Sequence, residues 1–331
     1  MPGMATILVT GGAGYIGSHT VLALQAAGFT VAVLDNLSSG HREALPADAR
    51  FFEQDLNDAP GVRRVLDEVR PTAVIHFAAF IEAGESMTDP RRFYHNNVIN
   101  GISLLDELAE RKIPVVFSSS AGVYGQPGVN PIPEDTPKNP VNVYGETKLV
   151  IEHVMEAYHR AYGLNFVALR YFNAAGAHPG GHIGEAHKTK SHLIELALLT
   201  ALGLRESIKV FGADYDTRDG TCIRDYVHVD DLASAHTLAL QALLDGKLQA
   251  RAFNVGLGQG FTVKEVLDAV DAVTNKTIRR EAAPRRAGDP PELVADSARI
   301  GHELGWTPRY TSLNEIVASA WAWHQSHPHD Y

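Results

Sequence analysis

The first half of the chain alternates two patterns. Short runs that are apolar at nearly every position recur at Thr6–Thr10, Thr30–Asp35, Thr72–Phe77, Pro114–Ser118 and Leu164–Arg170, with a shorter candidate at Arg50–Glu53. Neighbouring side chains on a strand point to opposite faces, so a continuously apolar run is a strand buried on both sides. Between these runs lie stretches with helical character. They predict helices over Gly17–Ala27, ending near Gly28, and over Val62–Val69, Pro90–Arg111 and Tyr144–Tyr162. Strand and helix in regular alternation predict an α/β fold, a doubly wound parallel sheet covered by helices.

After Asn173 the alternation breaks down. Residues 176–192 are rich in glycine and histidine and read as a loop. Later segments mix helices and short strands with turns rich in Pro and Arg, notably Ala282–Pro291. The pattern predicts two domains: residues 1–175, and a smaller mixed α/β domain over 176–331. About 226–258, with the amphipathic stretch Asp230–Leu244, is expected to pack back on the first. A chain of 331 residues suits this division.

Composition narrows the function. With 45% hydrophobic and 21% charged residues, the chain is an ordinary globular sequence. A formal charge of -10 argues against a nucleic-acid partner, while leaving room for a local basic pocket that takes an anionic substrate. Cys222 is the only cysteine, which excludes an intrachain disulfide and a multi-cysteine metal centre. No run has the length of a membrane helix, and Met1–Thr6 does not open a secretory signal, so no membrane association and a cytoplasmic location are expected.

Thr10-Gly11-Gly12-Ala13-Gly14-Tyr15-Ile16-Gly17 joins the first strand to the first helix. Gly11 permits a tight turn, Gly14 close approach of a pyrophosphate, and Gly17 close packing of helix on strand. The helix N-terminus offers N–H groups and a partial positive charge to phosphates. Three glycines alone are a weak signal. The strand–turn–helix context and Asp35 at the end of the second strand strengthen it, since a carboxylate there accepts from ribose hydroxyls and repels a 2′-phosphate. The implied cofactor is NAD on a Rossmann-type sheet.

Tyr144 and Lys148 stand four apart, on one face of a predicted helix. A phenol has a pKa of about 10, and a neighbouring ammonium is expected to lower it toward the range of a working base. Ser118-Ser119-Ser120 closes the fifth strand, at the end of the sheet where ligands bind. These residues, with the run Ser118–Gly125, resemble an extended short-chain dehydrogenase/reductase. Further marks resemble the UDP-glucose 4-epimerases in order and spacing. They are Asp35-Asn36-Leu37, Gly84-Glu85-Ser86, Asn96-Asn97-Val98, Arg170-Tyr171-Phe172-Asn173, Gly176-Ala177-His178, Arg224–Val229, Ala283–Asp289 with Gly288, and the region of Trp306 and Trp323.

The resemblance implies an epimerase that interconverts UDP-galactose and UDP-glucose through a 4-keto intermediate. Tyr144 is then the base and acid, Lys148 its electrostatic partner and Ser120 the hydroxyl ligand. NAD would touch Gly11, Gly14, Tyr15, Ile16, Gly17, Asp35, Asn36, Asp55, Leu56, Phe77, Ala78, Ala79, Asn96, Ser120, Tyr144, Lys148 and Phe172. The UDP-sugar would meet Asn173, His192, Phe211, Arg224, Tyr226, Arg286, Asp289 and Leu293. Guanidinium groups suit a diphosphate, though Arg224 could equally pair with Asp225 or Asp230. The family also implies a homodimer, built on Pro90–Arg111 and Tyr144–Tyr162.

Two positions depart from the pattern. Ile81 stands where well-known bacterial members carry a lysine that helps hold the cofactor. Leu293 replaces a tyrosine that limits the sugar pocket in some members, which would admit an N-acetyl group. His178, His182, His187 and His192 share a loop but match no familiar ligand spacing; they read as solvated, and no metal is predicted. Other readings stay open: an epimerase of an N-acetylated, pentose or uronate sugar, a dehydrogenase, or a non-catalytic NAD sensor on the same fold. A 4,6-dehydratase is disfavoured, because Ser118–Ala121 replaces the Thr-Asp-Glu run that such enzymes carry after this strand.

Overall fold

The computed structural model describes residues 5–286 and 289–331. Met1–Met4 and Gly288 of the Pro/Arg-rich motif lie outside the described residues. Seven strands form one parallel sheet: β1 (Thr6–Thr10), β2 (Thr30–Asp35), β3 (Arg50–Glu53), β4 (Ala73–His76), β5 (Val115–Ser120), β6 (Phe166–Tyr171) and, later in the chain, Ala250–Val255. Their order is Ala250–Val255, β6, β5, β4, β1, β2, β3. The chain therefore reverses direction across the sheet between β1 and β4, where a crevice opens at the carboxyl ends of the strands.

The period-two pattern decides which core each residue joins. Ile7, Val9, Val31, Val33, Ala73 and Ile75 face one apolar core; Leu8, Ala32, Leu34 and Val74 face the other. The first core is closed by α1 (Tyr15–Ala26), through Val21 and Leu24, and by the helix Val229–Leu244, through Leu232, Leu240 and Leu243. The second is closed by α2 (Ala59–Val69) and by the helices Asn100–Arg111 and Val143–Tyr162. Each fully buried Leu, Ile or Val contributes about 1.5–3 kcal/mol, so the doubly apolar strands are the main source of cohesion.

Three differences from the sequence reading matter for the site. The predicted helix Pro90–Arg111 is divided by a π-helical turn at Tyr94–Ile99. Asn97 on this turn is locked by its amide, which accepts from Phe80 N (2.9 Å) and donates to Phe80 O (3.0 Å) and Thr147 Oγ1 (3.1 Å). The long helix begins at Val143, because Asn142 caps it through the Gly145 N–H at 2.8 Å. The seventh strand, Ala250–Val255, was not visible as such. Arg251 and Asn254 interrupt its apolar run, the latter fully buried and bonded to Tyr124 Oη (2.7 Å) and Ile132 O (2.7 Å).

The remaining strands build a smaller mixed assembly beside the crevice. Ile223–His228 pairs in parallel with Asn173–Ala175 and Glu292–Leu293 and antiparallel with Gly260–Thr262; Ile208–Phe211 pairs with Arg280–Ala283. Helices Leu193–Ala201, Val263–Thr274 and Leu313–Ser326 pack into its own apolar core.

Candidate active site

The glycine turn is shaped by contacts that exclude side chains. Gly11 has φ +72°, and a Cβ there would lie 2.5 Å from Ala78 N. One on Gly17 would lie 2.2 Å from Gly11 O, which accounts for the close helix–strand contact. At Gly14 a Cβ would meet only Gly11 O, at 3.4 Å, so protein does not fill the space beside it. Gly14 caps α1 without a side-chain bond, and no acidic residue occupies the first turn. The helix end thus presents N–H groups and positive potential with no competing carboxylate. Tyr15 and Ile16 open that helix, and the Tyr15 hydroxyl donates to Gly176 O at 2.6 Å.

Asp35 ends β2 beside the turn. It accepts from Ala13 N (3.0 Å) and Leu37 N (2.9 Å), one bond to each oxygen, and burial raises its carboxyl above the usual range. Each oxygen keeps a further lone pair for a ribose hydroxyl. Asn36 donates to Asp55 Oδ2 at 2.6 Å, with Leu56 buried behind. Phe77, Ala78 and Ala79 follow β4, the Phe77 ring lying 4.6 Å from that of His236. Asn96, on the π turn, donates to Asn97 at 2.9 Å. The glycine turn, Asp35 and Phe77, Ala78 and Ala79 thus follow the carboxyl ends of β1, β2 and β4, where an open α/β sheet takes its ligand.

Ser120, Tyr144 and Lys148 meet at the end of β5. The Ser120 side chain is hydrogen-bonded to that of Tyr144 and also accepts from Gly122 N at 3.1 Å. Lys148 is only 2% exposed; its ammonium donates to Ser118 O at 2.7 Å and lies 5.8 Å from the centre of the Tyr144 ring. The electrostatics correct one expectation. Burial dominates: it pushes the Tyr144 phenol up to about 12 and Lys148 down to about 7. The Ser120 bond lowers the Tyr144 value and the nearby Glu82 carboxylate raises it. Glu82 and Ser86, whose hydroxyl accepts from Tyr144 N at 3.1 Å, complete this corner. Sequence reasoning missed Glu82; Ser86 lay inside a quoted motif without a role.

The predicted substrate residues come from the smaller assembly. Phe172 and Leu293 pack on one cluster with Ala121, Val123, Tyr124 and Leu149, of which Ala121 follows Ser120 in the chain. Leu293 is the register partner of Arg224. Arg224 pairs with Asp289 at 3.7 Å and with neither Asp225 nor Asp230. Asp225 is fully buried and accepts from Leu257 N (2.8 Å), Gly258 N (3.0 Å) and Ala295 N (3.1 Å). Asn173 donates to Asp225 O at 2.9 Å. Tyr226 is buried, its phenol pushed up to about 12. The Arg286 guanidinium stands 4.0 Å over the Phe211 ring. The loop histidines also depart from the sequence reading: His187 and His192 are not free in solvent, and both turn their Nδ1 atoms onto the buried Glu185.

The model of the NAD-dependent epimerase/dehydratase family matches residues 7–256. The chain belongs to this family. It is similar to a UDP-glucose 4-epimerase of Halalkalibacterium halodurans, 51% identical over 98% of this chain and 97% of that one. Among solved structures, it resembles a UDP-glucose 4-epimerase at 49% identity and TM-score 0.95, covering 98% and 99% of the two chains. It also resembles the UDP-glucose 4-epimerase from Brucella ovis in complex with NAD, at 44% identity and TM-score 0.92, covering 96% and 97%.

Proposed function

We propose that the protein interconverts UDP-galactose and UDP-glucose through a 4-keto sugar, with NAD as a resident cofactor. The observation that carries this reading is the Ser120–Tyr144–Lys148 cluster at the carboxyl end of β5. Bound NAD supplies reversible hydride transfer at carbon 4 of the sugar. Tyr144 takes the proton of the 4-hydroxyl and returns it, Ser120 holds that oxygen, and Lys148 supports the phenolate. Arg224 and Arg286 would grip the diphosphate, with Asn173, Phe211, Tyr226, Asp289 and His192 around the nucleotide and sugar. Holding the UDP end would leave the sugar free to turn either face of carbon 4 toward the cofactor, which is what inversion requires.

Purified enzyme given UDP-galactose is expected to form UDP-glucose without net NADH. Accumulating NADH with an oxidised sugar would mean a dehydrogenase, and no turnover with NAD still bound would favour a different nucleotide sugar first and the sensor second.

Leu293 supports a second substrate class. Its side chain packs against the same apolar cluster as Phe172, and a leucine there leaves more room than a tyrosine. UDP-N-acetylglucosamine is therefore expected to turn over as well. Leu293→Tyr should cut the ratio of acetylated to plain turnover by roughly tenfold or more; an unchanged ratio rules the assignment out.

A homodimer through the segments Pro90–Arg111 and Tyr144–Tyr162 is supported by Ile99 and Tyr162, exposed by 50% and 54% on those segments. Light scattering that returned the mass of one chain would refute it. Among the described residues no helix is long and apolar enough to cross a membrane. The single free, buried Cys222 supports a cytoplasmic setting, which cell fractionation checks.

A further inference from the structure

The loop that follows Ala175 carries a side-chain cluster of which the epimerase reading uses only His192. Glu185, His187 and His192 bring one carboxylate oxygen and two ring nitrogens within 4.8 Å of one another. His187 Nδ1 lies 3.1 Å from Glu185 Oε1, and His192 Nδ1 contacts the same oxygen. Ligand atoms around a tetrahedral Zn²⁺ stand about 3.3 Å apart, given bonds of 2.0–2.1 Å. The three donors need only small shifts to reach that spacing.

Two buried carboxylates lie by these histidines. Glu185 and Glu195 are 5% and 1% exposed. Lys190 is the nearby ammonium, at 2.9 Å from Glu195 and 2.7 Å from Asp330. Among the described residues, buried His324 Nδ1 has no hydrogen-bond partner. Buried groups in this state are exceptions that call for a partner. We propose that Glu185, His187 and His192 form a binding site for a divalent transition-metal ion of the Zn²⁺ type, with Glu195 supplying further negative charge. Imidazole with carboxylate suits such ions, and three protein ligands leave a position for water.

The site's place in the fold gives it a task. The His187 ring stands edge-on to Tyr15, 5.9 Å between centres, at the start of the cofactor helix. One residue earlier, Ala186 O takes a bond from His41 Nε2 at 2.7 Å, tying the loop to the segment after Asp35. A metal here pins the loop across the mouth of the glycine turn and slows cofactor exchange.

The test uses the NAD-loaded protein, stripped with a chelator and titrated with Zn²⁺ alone. About one equivalent per chain should remain after gel filtration. Co²⁺ alone should give the intense visible bands of a four-coordinate site, and NAD release should slow when metal is added. Two variants isolate the ligands. His187→Phe keeps a ring against Tyr15 while removing both nitrogens, and Glu185→Gln is isosteric. Each should lose the bound Zn²⁺ and the Co²⁺ bands, with native folding checked by circular dichroism. Retention of a full equivalent of Zn²⁺ by folded His187→Phe would overturn the assignment. So would failure of the wild-type protein to bind either ion, a result that needs no variant to fold.

Discussion

Tyr144→Phe is expected to abolish epimerisation almost completely, lowering turnover by about 10²–10⁴-fold, the usual contribution of a positioned acid–base group. The ring is half-buried in the corner formed by Ser120, Ser86 and Glu82, so removing one oxygen leaves the packing intact. NAD content and thermal stability should therefore stay near wild type while turnover falls. The pH dependence separates a chemical role from a structural one. Burial holds the phenol up at about 12, and the phenolate is the reactive form, so wild-type rates should rise with pH as deprotonation grows. The variant has no phenol to titrate and should show no such rise. Lys148, lowered to about 7 by burial, loses its charge across the same range, which opposes the rise and should flatten it above neutrality. Lys148→Met combined with Tyr144→Phe should cost little more than Tyr144→Phe alone, because the lysine acts through the phenolate; fully additive losses would argue against the pair. A Tyr144→Phe enzyme with near-normal turnover would remove the central role from this residue.

How much of this was legible in the sequence depended on whether the cause was local. The parallel sheet was legible because Ile7, Leu8 and Val9 must be apolar on both faces, and that leaves an unbroken run. The glycine turn was legible because only glycine tolerates the backbone contacts at positions 11 and 17. The strand Ala250–Val255 was hidden because its burial is met by polar partners: Asn254 is satisfied by Tyr124 and Ile132, more than 100 residues away in sequence. The balance between burial and charge at Tyr144 was also out of reach. Spacing shows that Lys148 is near, but not that both groups are desolvated. Glu185 failed for the same reason. A run of histidines in a glycine-rich loop reads as solvated, and only the fold reveals that two of them close on one buried carboxylate.

Behind the catalytic cluster, Arg170→Met is expected to be the most damaging single change to stability. Arg170 and Glu152 form an ion pair with both side chains 3% exposed. The guanidinium donates to Glu152 through Nε (2.9 Å) and Nη2 (2.6 Å), and through Nη1 to Tyr124 Oη and Glu134 O, both at 2.9 Å. Ser119 Oγ donates to the same carboxylate at 2.6 Å. Removing the arginine strands a buried carboxylate, which costs about 3–5 kcal/mol. Replacing both partners with apolar residues avoids the stranded charge, so Glu152→Met with Arg170→Met should recover much of the loss. The pair also has a functional side. Glu152 lies four residues after Lys148 on the same helix face, and Ser119 precedes Ser120, so the network fixes the helix and strand that carry the catalytic groups. Urea unfolding and turnover, measured on the same preparations, test both parts. Stability regained in the double variant with turnover still depressed would show that the pair positions the site. If Arg170→Met alone unfolded like wild type, the buried pair would not be the structural keystone that its hydrogen bonds describe.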